Sequence, residues 1–277
     1  MPNTLISSTV NPQLAEDTAL LADITSALVA AGEVLTDRFP QVPALATGED
    51  VVRAIHANDE ASLTAFRPRL EALRPGAGWA EDELESGPLP EGEWWVTDPV
   101  EGNINHIHGM TDWGVTATLV RDQVPVVTVV HLPLAHETYT AVLGGGAFLN
   151  GAAINASMKQ HLNAALVGTG QASPLETSDT FARIGRSVTA MLDAALVLRV
   201  SVPATLQLIH VATGRMDAFW QHSAVRSGLV SGALLVAEAG GVISDLDGGP
   251  WSLGSTDFLA SAPAIHAEAV RVLGPLA

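Results

Sequence analysis

At 277 residues the chain has room for one large domain or two closely packed halves, and 47% apolar against 16% charged residues excludes a disordered chain. Acidic residues outnumber basic ones 30 to 13, which argues against nucleic acid or an anionic membrane as partner. With no cysteine, disulfides, a thiolate nucleophile and zinc–thiolate sites are excluded.

The N-terminus lacks a basic stretch followed by an apolar signal core, and no run approaches the ~18 apolar residues of a membrane span. A cytoplasmic protein is expected, and the acidic balance is common among soluble bacterial enzymes. Residues 14–39 read as an amphipathic helix, with Leu14, Leu21, Ile24, Leu28 and Leu35 at helical spacing. A loop with two prolines follows, then a second helix over 49–73. Residues 75–93, rich in Gly, Pro, Asp and Glu, read as a surface loop and candidate lid. From 94 to 148 the pattern is β: Val115–Val120, Val124–His131 and Thr138–Val142 are short β-branched runs broken by turn residues. Ala164–Thr169 reads as a strand, 179–194 as a helix, and Leu196–Val200 as a buried strand. A helix over Thr205–Thr213 and a strand over Met216–Trp220 come next. Ser227–Ala239 reads as a helix stopped by Gly240-Gly241, and 264–273 as the last helix.

The most informative stretch is Trp94-Trp95-Val96-Thr97-Asp98-Pro99-Val100-Glu101-Gly102-Asn103-Ile104-Asn105. An apolar run ends in a carboxylate, and a second carboxylate and a glycine follow after a proline. A strand that stops this way delivers two oxygen ligands to one point, as hard cations such as Mg²⁺ require. Gly102 allows close backbone approach, and the N–H groups after it can hold an anion. The same residues also suit a capped strand-to-helix turn with solvated acids.

The stretch resembles the inositol monophosphatase signature Asp-Pro-x-Asp-Gly-Thr/Ser-x-Asn-Phe. Three later segments fit that family in order: Gly144–Gly151 as its glycine hairpin, Gly214–Trp220 as the strand before its second metal motif, and Ser231–Val242 as the helix and turn after it. The resemblance implies an α/β fold, a layered αβαβα sandwich. One compact unit is expected, with halves 1–155 and 156–277 each carrying one motif. It also implies a homodimer and a site where Mg²⁺ is held by a Glu-Glu pair, both first-motif aspartates and the aspartate of a Trp-Asp pair.

Compared residue by residue, this chain departs from that pattern. Asp98 matches the first aspartate, but Glu101 replaces the second and Asn103 replaces the threonine that helps orient water. Leu84 falls at the Glu-Glu ligand position, with Glu83 or Glu85 able to compensate through a shift in register. Gly228 stands where the Trp-Asp aspartate belongs, and Gln221 where many members carry a substrate-binding glutamate. Asp50 weakly matches a loop that supplies an outer metal contact. Metal-assisted hydrolysis needs the whole set, because the ions both generate hydroxide and neutralise the leaving oxygen.

Some replacements can move protons. His106 stands in place of the family's Phe and His222 follows Gln221; histidine titrates near neutrality, and both are expected to face one cleft, or else to fill space left by metal. The expected catalytic set is therefore His106, His222, Asp98 and Glu101. Gly102, Asn103, Gln221 and Arg226 are expected to bind substrate. Asp98, Glu101 and Glu85 would be ligands only if a metal is bound. Three readings follow: an enzyme doing metal-independent acid–base chemistry on a small molecule, without a cofactor; a Mg²⁺-dependent phosphomonoesterase acting on a sugar or inositol phosphate; and a non-catalytic ligand- or partner-binding homologue.

Overall fold

A computed structural model describes residues 12–40, 45–81, 87–223 and 225–276. Helix α1 (Pro12–Arg38) buries Ile24, Ala27, Leu28, Ala31 and Leu35 along one face, the stripe that its sequence spacing requires. By length and hydropathy alone α1 could cross a membrane, but that stripe packs on a sheet, which makes it a core helix. Helix α2 (Gly48–Leu73) starts with a capping box between Thr47 and Asp50 and lies against α1.

Strands β1 (Gly78–Trp79), β2 (Glu93–Glu101), β3 (Gly114–Arg121), β4 (Val124–Leu132), β5 (Glu137–Val142), β6 (Gly146–Leu149) and β7 (Ala152–Ala153) form a seven-stranded sheet in chain order. The short helix α3 (Asn103–Ile107) interrupts it after β2. The second half adds β8 (Leu166–Thr169), α4 (Ser178–Ala194), β9 (Val197–Val200), α5 (Ala204–Ala212), β10 (Ala218–Gln221), α6 (Ser227–Glu238), β11 (Val242–Ser244), β12 (Phe258–Ser261) and α7 (His266–Leu273). Its five strands are ordered β11-β12-β10-β8-β9, with β8, β9 and β10 mutually parallel.

The layers stack as α1/α2, first sheet, α5/α6, second sheet, α4/α7, so the expected αβαβα sandwich is present. Helix α6 is apolar on nearly every side because it lies between both sheets, with Leu229, Ala233, Leu234, Leu235 and Val236 buried. Buried hydroxyls pin it to β3, where Thr118 Oγ1 and Ser231 Oγ meet at 2.9 Å. At its far end Glu238 accepts the N–H groups of Gly144 and Gly146, both at 2.8 Å, which ties down the glycine hairpin.

Three expectations need correction. The stretch 75–93 contains β1, which pairs in parallel with β2 through Gly78 and Trp79. Strand β9 is not buried: it is an edge, with Val197 51% and Val200 60% exposed. Strand β2 does not stop at Asp98 but runs on to Glu101, with a break in its pairing to β3 between those two residues. Strands β11 and β12 have no counterpart in the sequence reading.

Candidate active site

The parallel strands β8, β9 and β10 end on the same edge, and the loops leaving them hold Gly170, Ser201–Pro203 and Gln221–Ser223. That edge of a parallel sheet is where ligands bind in open α/β architectures. The first motif reaches it from the other sheet. Pairing of β2 with β3 is regular to Asp98 opposite Thr116, then slips so that Glu101 lies opposite Gly114. The slip bulges Pro99 and Val100 and leaves the Glu101 carboxylate against Thr205 of the C-terminal half. Asp98 Oδ1 accepts the Val100 N–H at 3.0 Å, and Ser62 Oγ donates to the Pro99 carbonyl at 2.6 Å.

Gly102 turns the chain with φ of 83°, in the left-handed region, and caps α3. A Cβ there would come within 2.7 Å of the Asp112 carbonyl oxygen, so only glycine fits. One turn later Asn105 Nδ2 donates to the carbonyls of Asp112 at 2.8 Å and Val202 at 2.9 Å, joining the first motif to the loop after β9.

Asp98 and Glu101 are brought together. Burial, then the Glu101 carboxylate and then Asp59 hold the Asp98 carboxyl well above the usual carboxylate range. Glu101 is 3% exposed, and Thr205 Oγ1 donates to its Oε2 at 2.7 Å. The same hydroxyl lies 3.0 Å from the carbonyl of Gly228 at the start of α6. The two motif positions therefore meet, as the alignment requires, through a residue that sequence reasoning did not single out.

Asn103 faces α2 instead of the cleft. Its Nδ2 donates to Asp59 at 2.7 Å and to the Ile55 carbonyl at 3.1 Å, while its Oδ1 accepts from Asn58 at 3.0 Å. Its amide is thus committed to protein partners, contrary to the substrate-binding role expected of it. Asp59, also missed, has its carboxyl pushed up to about 6 by burial, against the lowering effect of Asn103. The available signal was the polar pair Asn58-Asp59 inside the second helix.

His106 does not share a cavity with His222. It is 1% exposed, edge-on to Trp113 and Phe39 at centroid distances of 4.7 and 5.4 Å. A carbonyl can only accept, so Nε2 carries the hydrogen donated to Leu35 at 2.9 Å, and Nδ1 accepts from Asn58 Nδ2 at 3.0 Å. Both ring nitrogens are occupied, and burial holds the pKa below the ordinary value. His106 packs as an aromatic ring against Phe39 and Trp113, with Asn58 and Leu35 satisfying its polar atoms.

His222 lies just past β10, 5% exposed, in the wall of a cavity of about 550 Å³ with Ser173, Thr177, Thr180, Arg183 and Asp257. Burial, with help from Arg183 and Arg186, pushes its pKa down to about 4, so the imidazole is neutral across the physiological range. Its Nε2 is enclosed without a hydrogen-bond partner. Gln221 is buried at the end of β10. Arg226 is also buried, and one guanidinium nitrogen donates to the Gly87 carbonyl at 2.9 Å. Glu85, Glu83 and Leu84 lie outside the described residues. Asp50 caps α2, accepting from the Thr47 hydroxyl at 2.9 Å.

Among the described residues no three His, Asp or Glu side chains converge as a cation site. Asp98 and Glu101 supply two carboxylates, Gly228 supplies none, and the Thr205 hydroxyl occupies the gap between Glu101 and α6. These residues do not by themselves fit a two-metal centre.

The sequence profile described as the inositol monophosphatase family matches residues 16–274. The chain belongs to the inositol monophosphatase family. An inositol-1-monophosphatase from Rhizobium meliloti is 30% identical over 233 residues, 83% of this chain and 87% of the relative. A Nus factor SuhB from Pseudomonas aeruginosa is 32% identical over 202 residues, 72% of each chain. The solved inositol monophosphatase from Anabaena shares 26% identity and superimposes with a TM-score of 0.77, covering 93% of this chain and 96% of its own. Glu101, Asn103 and Gly228 therefore sit within an inositol monophosphatase scaffold.

Proposed function

We propose that this inositol monophosphatase family member is an enzyme that performs metal-independent acid–base chemistry, in a biosynthetic setting, on a small molecule. The observation that carries the reading is the pairing of half-buried Asp98 with buried Glu101, which a hydroxyl joins to α6. A carboxyl held well above its usual range by burial and by the Glu101 carboxylate holds its proton to higher pH than an ordinary carboxyl, which suits a general acid. Glu101 supplies the neighbouring charge and is steadied by Thr205. His222, just past β10, stays neutral at physiological pH and offers its ring to a substrate in the cavity beside it. Gly102 and Gln221 border the substrate. His106, Asn103 and Arg226 support the walls through the contacts described above. No cofactor takes part in this reading.

The protein is further proposed to be a cytoplasmic bacterial homodimer. Support for a second copy comes from edge strand β9, where Val197 and Val200, with Leu196 just before them, present apolar surface.

The test is incubation of chelator-treated protein with a small-molecule extract, followed by mass analysis. A conversion that persists in EDTA and disappears in Asp98→Asn supports the reading. Phosphate release that requires Mg²⁺ and stops in EDTA sinks it.

That second outcome would establish the phosphomonoesterase reading, with Asp98, Glu101 and Glu85 around Mg²⁺ and a sugar or inositol phosphate as substrate. The relatives called inositol-1-monophosphatase favour it. Those called Nus factor SuhB favour a partner-binding role, which the absence of any conversion would promote.

A further inference from the structure

The cavity beside His222 lies off the carboxylate pair: neither Asp98 nor Glu101 lines it. The register of β10 with β12 pairs Gln221 with Phe258, so His222 and Asp257 are the next residues along and stand opposite one another in its wall. Asp257 gives one carboxylate oxygen to the Leu246 N–H at 2.7 Å. His222 is 5% exposed, and its Nε2 has no hydrogen-bond partner. An enclosed polar nitrogen left without a partner is costly in a folded protein, and the open space that this ring borders is the cavity.

Charge in the wall leans one way. Glu176, Asp179 and Asp257 stand against the single guanidinium of Arg183, which already donates to Asp179 at 2.9 Å. The first turn of α4 lines the cavity too, and a helix N-terminus carries roughly half a positive charge. That does not offset the acids, and the Thr177 hydroxyl already accepts the Thr180 N–H at 3.1 Å. Burial and neighbouring Asp247 raise the pKa of the Asp257 carboxyl, against the pull of the Leu246 N–H and of Arg183, as happens when a carboxylate is short of positive charge. A phosphate finds little to hold it here, because phosphates are gripped by Arg and Lys side chains free to fork around them.

We infer that this cavity takes the amine-bearing end of a hydroxylated small molecule, so that the substrate class is an amino sugar or aminocyclitol and not a phosphate monoester. A protonated amine brings a positive charge and three donors to one point. Asp257 accepts one of them, and His222 Nε2 accepts another in the tautomer that carries its hydrogen on Nδ1. The hydroxyls of Thr177, Thr180 and Ser223 border the remaining space and both donate and accept, as substrate hydroxyls require. A volume of about 550 Å³ is in the range of small-molecule sites. Calling the ligand a substrate rests on the acid–base reading above; the preference for an amine rests on the cavity alone.

The experiment is titration of the labelled full chain, followed by NMR at about pH 6.5, where amines keep their proton. The probes are glucosamine, an aminocyclitol, glucose and glucose 6-phosphate. Both amines should shift the resonances of His222 and its neighbours and bind at least about tenfold more tightly than glucose, the usual gain from a charge-assisted bond. Glucose 6-phosphate should bind no better than glucose. Asp257→Asn, which keeps an acceptor for Leu246, should weaken amine binding about tenfold; His222→Phe, which keeps a ring and removes its nitrogens, should weaken it about threefold or more. Equal binding of glucose and the amines overturns the inference, as does a preference for the phosphate or silence toward every amine. Should a variant fail to fold, the order of the four probes on wild type decides. Binding is read without turnover, so the two readings fail separately. Amine binding without any conversion upholds the cavity's preference and sinks the acid–base reading alone, whereas conversion of a substrate that lacks an amine sinks this inference alone.

Discussion

Asn103 and Asp59 meet at 2.7 Å, an amide hydrogen on a partly enclosed carboxyl, at the edge of the site that faces α2. Asp59 also contributes to the raised pKa of Asp98, so charge on α2 is felt within the first motif. The protonation of this edge belongs to the group of acids and not to any one of them.

Asp59→Asn should change stability in a pH-dependent way. The folded pKa of about 6 lies above the ordinary carboxyl value of 3.8, so the fold binds this proton more tightly than the unfolded chain does. Its favourable contribution is complete below the unfolded pKa and is lost as pH rises through about 6. Asparagine can still accept from Asn103 without carrying a desolvated charge. The variant should therefore be ~1–2 kcal/mol more stable than wild type at pH 8, with the gap closing toward pH 4. Urea unfolding at both pH values is the measurement; a variant no more stable than wild type at pH 8 contradicts the assignment.

His106→Ala should cost stability. It removes an enclosed ring and strands the Leu35 carbonyl and the Asn58 amide, a combined loss of ~2–4 kcal/mol. Because the folded pKa is depressed, the ring stabilises the fold fully above the ordinary value of 6.5, and that contribution falls as pH drops below it. Denaturant titration checks this. A loss below ~0.5 kcal/mol would mean that the ring is not part of the packed wall.

His222 should behave differently. Its imidazole should stay neutral down to about pH 4, which nitrogen NMR of the labelled ring can follow directly. Once a substrate is known, His222→Ala should lower turnover by ~10²–10⁴-fold if the ring moves a proton. Titration near 6.5 would show that the ring is better solvated than its 5% exposure indicates.

Gly102→Ala should be among the most damaging small substitutions. It puts a Cβ in the left-handed region and drives it to 2.7 Å from the Asp112 oxygen. A loss of ~1–3 kcal/mol from backbone strain is expected, before the clash is counted. Unfolding at the wild-type denaturant midpoint would show that the turn can relax.

What the sequence revealed depended on how local the signal was. Apolar periodicity located α1, α2 and β3 to β5 to within about two residues, because each element buries a face regular in its own sequence. The pair Gly78–Trp79 is too short to show any period, and β9 looks apolar enough for a core while lying at a sheet edge. Asp98, Glu101 and Gly102 were legible since they fall in one short stretch of sequence. Asn58, Asp59 and Thr205 were not, because they meet the motif across 48, 44 and 104 residues of chain. His106 misled for a physical reason: a histidine with both nitrogens bonded has the same one-letter appearance as one free to titrate.

Placing α6 between the two sheets has a consequence for how the molecule comes apart. The helix gives Leu234 and Leu235 to one shared core that also takes in Tyr139 and Ala141 from the first sheet and Phe219 and Phe258 from the second. A fragment ending near residue 155 would leave β4 and β5 without their cover, and the remainder would carry a helix wrapped in exposed leucine and valine. Neither piece has a core of its own on that side, so calorimetry should record one cooperative transition, and separately expressed halves should aggregate or find each other.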